Sequence, residues 1–89
     1  METKWVSRWI EIQTEQCEES GRTLYAAVEV GCLEVAGVHY TARRSLRGCF
    51  DVKEDAAQVA FEHARRQVLE VVDTQTEKRY EVVPCGILH

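Results

Sequence analysis

The sequence predicts a two-layer α+β domain, an antiparallel sheet with one main helix packed on one face, in the order β-β-β-α-β. Three observations predict it. The first half of the chain alternates apolar and polar residues with the period of a half-buried strand. The segment Phe50 to Ala64, FDVKEDAAQVAFEHA, repeats small apolar residues at helical spacing. Beyond it, Arg79 to Val83 supports a last short strand, stopped by Pro84, which suits a sheet edge.

Trp5 to Gln16 opens the chain. Ile10, Ile12 and Thr14 alternate with Glu11, Gln13 and Glu15, and the β-branched and aromatic content favours a strand. Trp5, Trp9 and Ile12 also stand at i, i+4 and i+7, so a helix fits the same letters. Glu18 to Arg22 reads as a turn. From Leu24 to Val35, Leu24, Ala26, Val28 and Val30 are expected on the core face, against Tyr25, Ala27 and Glu29. Gly31 within this run marks a bulge or bend. Ala36-Gly37 is the expected hairpin tip. Val38, Tyr40, Ala42 and Leu46 return on the core side, which leaves His39, Thr41, Arg43, Ser45 and Arg47 on a basic outer face.

Arg47-Gly48-Cys49 breaks that strand. Asp51 is then the expected N-cap, with Glu54 completing a capping box, so that losing Asp51 would cost about 1 kcal/mol. Ala56, Val59, Ala60, Ala64, Val68 and Val72 fall on one stripe of a helix running to about Val72, and its small residues allow close approach to a sheet. Residues 1–89 thus form one expected domain, with its core over about 9–72 and a C-terminal extension carrying a short strand at 77–84. A chain of 89 residues with 45% hydrophobic content and no Pro/Gly/Ser-rich joint closes one small core.

Cys17, Cys32, Cys49 and Cys85 are far apart, with no Cys-x-x-Cys pair and no apolar signal segment ahead of them, so reduced thiols in an intracellular protein, cytoplasmic or nuclear, are expected. No apolar run approaches the roughly 20 residues of a membrane span. The net charge of −4 argues against nucleic-acid binding by bulk electrostatics and directs attention to local basic clusters: Arg43, Arg44 and Arg47, then Arg65 and Arg66, then Lys78 and Arg79.

Phe50, Lys53, Ala56, Ala60 and Ala64, together with three strands followed by a helix, resemble the double-stranded RNA-binding domain over roughly Trp9 to Leu69. The resemblance implies that family's fold and duplex-RNA binding. In the family the helix start reads Ser-Lys-Lys-x-Ala-Lys, and its lysines grip phosphates. Here Val52-Lys53-Glu54-Asp55-Ala56-Ala57 keeps only Lys53. Glu19 to Thr23 corresponds to the family's minor-groove loop, where Gly21 and Arg22 remain without its Pro and His. Because duplex RNA is held by phosphate and 2′-hydroxyl contacts over about 16 base pairs, lost lysines remove affinity directly. The expectation is therefore a divergent, non-catalytic module of this fold that has turned toward a protein partner or its own copy in an RNA-processing or silencing assembly. The alternative is duplex-RNA binding through Lys53, Arg22, Arg43, Arg44 and Arg47.

Candidate partner anchors are Trp5, Trp9 and Tyr80, since Trp and Tyr are over-represented among the residues that dominate interfaces. No catalytic constellation is expected. His39, His63 and His89 lack zinc-ligand spacing, and there is no Gly-rich phosphate loop. Cys49 near His39 across a hairpin would want an orienting third group. Glu11, Glu29 and Glu34 read as solvated strand positions. Neither a cofactor, a metal nor a small-molecule substrate is implied.

Overall fold

The computed structural model describes residues 3–81. Strands β1 (Thr3–Gln16), β2 (Thr23–Val35) and β3 (Val38–Phe50) form an antiparallel meander, followed by helix α1 (Lys53–Gln67) and the short strands β4 (Val71–Asp73) and β5 (Lys78–Tyr80). The sheet order is β3-β2-β1-β4-β5. One helix on a five-stranded sheet is the α+β class expected. Residues 5–16 are strand throughout, as their alternation favoured, while two details differ: a strand not expected, β4, follows the helix, and it runs parallel to β1, which makes the sheet mixed. A helix crossover is what brings a parallel neighbour alongside β1. The last strand covers Lys78–Tyr80, and the remainder of the expected 77–84 strand beyond residue 81 lies outside the described residues.

Helix α1 seats its alanines on the sheet. Ala56, Ala60 and Ala64 are fully buried against Ile10, Ile12, Ala27 and Val71, and Tyr25, Leu46, Phe50, Phe61 and Leu69 close the rim. Methyl side chains at every fourth position hold the helix close to the strands, so even this small chain closes a dry layer. The helix ends sooner than the apolar stripe. Val68 adopts φ 56° and ψ 56°, its amide donates to the Ala64 carbonyl, and Val72 belongs to β4. The N-terminus also differs from expectation: Val52 is the N-cap with no side-chain cap bond, because the Asp51 carboxylate is turned to the Arg22 guanidinium at 2.7 Å.

Both faces of β2 are buried. Tyr25, Ala27 and Glu29 face the helix, whereas Ala26, Val28 and Val30 are buried on the opposite face with Trp9. That reverses the expected core face of β2. The pattern misled because both sides are apolar, and alternation then carries no sign. The far face is closed by polar side chains of its own: Trp9 Nε1 and Gln13 Nε2 donate to the two oxygens of Glu11, and Arg43 Nη2 donates to Gln13 Oε1. Arg43 and Trp9 flank Val30, so this chain of hydrogen bonds spans β2 from one neighbour to the other.

The two tryptophans lie on opposite faces, although plain alternation would put them together. A register shift between Trp5 and Ser7 turns Trp5 to the helix side. Its ring lies over Gly31, where a Cβ would collide with the indole and would also stand 2.7 Å from the Ser7 carbonyl oxygen. Gly31 is therefore a site of close approach, and the bulge it signalled sits on the facing strand. At the hairpin tip Ala36 and Gly37 both have positive φ, 52° and 80°, as a two-residue loop joining twisted strands demands.

Two substitutions test this geometry by chemical denaturation. Gly31→Ala is expected to destabilise by about 1–3 kcal/mol, because the Ser7 backbone cannot yield as a side chain would. Val68→Gly is expected to stabilise by roughly 0.5–1 kcal/mol, since glycine tolerates the left-handed helix end that a β-branched residue strains to adopt.

Candidate functional site

Edge strand β3 is long and open. Among the described residues no strand lies beside the outer side of its 13 residues, while the opposite edge, β5, is 3 residues long. Along β3 the side chains include His39, Arg43, Arg44 and Arg47, with no Asp or Glu from 38 to 50. Arg47 and Gly48 form an extra pair of residues opposite the Ala26/Ala27 step, both at positive φ (58° and 79°), and swing the strand as it approaches α1.

Between β3 and α1 lies an open groove of about 480 Å³. Leu46 and Val59 give it an apolar patch, Arg44, Arg47, Glu62 and Arg66 supply its charge, and His63 adds a polar ring. Beneath it stands Glu29. This carboxylate is only 5% exposed and meets three bases: Arg44 at 3.0 Å from β3, His63 at 3.2 Å from α1 and Arg8 at 3.6 Å from β1. Arg8 also donates to Gln67 Oε1 and lies over the Trp5 ring, 5.2 Å from its centroid. Arg47 and Arg66 have no carboxylate partner among the described residues.

The residues singled out from sequence are dispersed by this arrangement. Lys53 is held 2.7 Å from Asp73 and 2.9 Å from Gln75 Oε1. Arg22 is paired with Asp51, and Arg43 lies across the far face on Gln13. Arg44 points to the helix side, away from Arg43, and only Arg44 and Arg47 share the groove. No single basic face gathers the five. Among the aromatic candidates, Trp5 is 41% exposed, Trp9 is packed on the far face, and Tyr80 meets Phe61 edge-on with ring centroids 5.7 Å apart. Tyr40, on β3, is 54% exposed and was not anticipated, because its alternation with His39 and Thr41 resembles that of a core residue. Glu29 was missed for the converse reason: a Glu in an alternating strand reads as solvated, and its partners come from three other elements.

Titratable chemistry is limited. His39 and Cys49 occupy opposite ends of β3, paired with Glu34 and Ala26 respectively, so they form no nucleophile-base pair. The Cys17 thiol is held below the usual thiol range by the Ser20 hydroxyl, then by the Ser20 and Glu19 amides; partial burial opposes this and Arg22 adds to it. Glu15, Glu18 and Glu19 surround its cleft. Burial pushes the Asp73 carboxyl up, but the Lys53 ammonium and the Thr76 and Gln75 amides outweigh it and hold the group below the usual carboxylate range. Among the described residues no group of three or more His, Cys, Asp or Glu is arranged to hold a metal ion, and no helix is long and apolar enough to cross a membrane. No protein-family model, curated protein or solved structure matches the chain.

Because the folded Asp73 pKa is depressed, its contribution to stability is complete well above about pH 4 and is lost as pH falls through the folded value. Asp73→Asn is expected to cost about 1–3 kcal/mol at neutral pH. It should also flatten the acid limb of a stability-against-pH curve measured by urea denaturation.

Proposed function

We infer that this chain is a non-catalytic docking module that binds an extended segment of a partner protein along the open edge of β3. The single observation behind it is the contrast between edges among the described residues: a 13-residue strand open on its outer side at β3 against a 3-residue one at β5. A long bare edge is costly to leave exposed, because every unpaired N–H and C=O is a template for strand addition. Over the middle of the sheet, α1 packs on one face and the Trp9, Glu11, Gln13 and Arg43 hydrogen bonds lie across the other. Exposed Tyr40 and Val38 near the hairpin tip supply apolar contact beside the edge.

The resemblance to the double-stranded RNA-binding domain enters this proposal as a frame, three antiparallel strands leading to a helix that packs its alanines on them. An RNA-processing or silencing setting belongs to the same proposal. Direct duplex-RNA binding is the weaker reading. Lys53 and Arg22 are spent on Asp73 and Asp51, and strand β1 stands where that family has its first helix.

Amide NMR on the full chain, titrated in turn with extended peptides of varied sequence and with duplex RNA, tests the reading. Peptide-induced shifts are expected to concentrate on 38–50 and to leave β4 and β5 nearly unmoved. Duplex-RNA binding near physiological salt that weakens steeply with salt and is abolished by Lys53→Glu would overturn it.

A further inference from the structure

Resting on the docking role of β3, we propose that the segment it takes is acidic, an extended peptide whose alternate side chains place carboxylates in the groove between β3 and α1. A strand added to β3 points every second side chain to the helix side, into the space bounded by Leu46, Val59, Arg47 and Arg66. Arg44 and His63 are already turned to Glu29, and Glu62 is the one acid lining the groove. That leaves the guanidinium groups of Arg47 and Arg66 as cations without a carboxylate among the described residues, on the two walls of one groove. Acidic side chains alternating with small apolar ones match this lining.

Charge also selects against the other occupants. Pairing β3 with β3 of a second copy sets Arg43, Arg44 and Arg47 against the same three arginines, and like charges on adjacent strands repel. Edge β5 offers Lys78 and Arg79, so a β3-to-β5 contact between copies meets the same repulsion. An edge of one sign thus guards the protein from its own kind and leaves it open to the opposite one. Nucleic acid has the right charge but lacks the backbone N–H and C=O array that an open strand edge pairs with. The net charge of −4 further disfavours a polyanion that must be held over many phosphates.

Fluorescence anisotropy on the full chain tests this with three probes: an extended peptide alternating Glu with Val, its Gln-for-Glu counterpart, and a duplex RNA. The Glu peptide is expected to bind about ten-fold more tightly than the Gln peptide at low salt, with the gap narrowing as ionic strength rises past about 0.1 M. Arg47→Glu combined with Arg66→Glu should erase that preference and leave Gln-peptide binding in place. Arg66→Glu alone, on the exposed last helical turn, should reduce it several-fold without touching the bulge. Equal affinity for the two peptides would overturn the acidic assignment while docking on β3 stands; failure of both peptides to bind would overturn docking itself. Tighter binding of duplex RNA, lost in the Arg66→Glu variant, would make the groove a nucleic-acid site. Sedimentation as a stable dimer through β3 would assign the edge to a second copy.

Discussion

One buried carboxylate ties the elements together. Glu29 sits on the central strand of the meander and receives Arg8 from β1, Arg44 from β3 and His63 from α1. A lone carboxylate at that depth would be strongly disfavoured; with bases from three directions it becomes the point at which both neighbouring strands and the helix must be in register. Removing one side of such an arrangement typically costs about 3–5 kcal/mol, a large share of the stability of a chain this small. Arg8 extends the tie outward through Gln67 at the helix end and the Trp5 ring over Gly31. The same network therefore fixes where the helix stops and how the long hairpin leaves the core.

That constraint shapes the surface left over. The molecule is a plate of 44 × 39 × 22 Å, and α1, 15 residues long, packs over Ile10, Ile12, Ala27 and Val71. Glu29 draws Arg44 inward and the far-face hydrogen bonds draw Arg43 outward across β2, so two adjacent arginines of β3 serve opposite sides of the sheet. Among the described residues, the outer edge of β3 is left without a neighbouring strand, and Arg47 and Arg66 beside it without a carboxylate. The proposed docking and its preference for acids rest on the same division: Arg8, Arg44 and Lys53 are engaged within the fold, and Arg47 and Arg66 line the groove with no carboxylate among the described residues.

The sequence made the helix visible because Ala56, Ala60 and Ala64 obey one period and are packed by it. It made the hairpin visible through Ala36-Gly37, a dipeptide whose backbone needs are local. The face of β2 was hidden by apolar residues on both its sides, whereas the misread charges each depended on a partner far along the chain. Asp51 has the letters of a cap but is claimed by Arg22, 29 residues away, and Lys53 has the letters of a phosphate contact but is claimed by Asp73. Trp5 changed faces through one register shift that no composition marks. Glu29 and the groove were illegible for the same reason: their charges come from four elements that only the fold brings together.

Residue-resolved hydrogen exchange of the Glu29→Gln variant tests the clamp most directly. With one charge removed and the side-chain volume kept, β3 from 39 to 46 and the last turn of α1 should open together, exchanging on the order of 100-fold faster than in the unaltered protein. The amides shared by β1 and β4 should change far less. Uniform acceleration over the whole chain, or none at β3 and the helix end, would contradict a role for Glu29 in locking the edge strand and the helix in place.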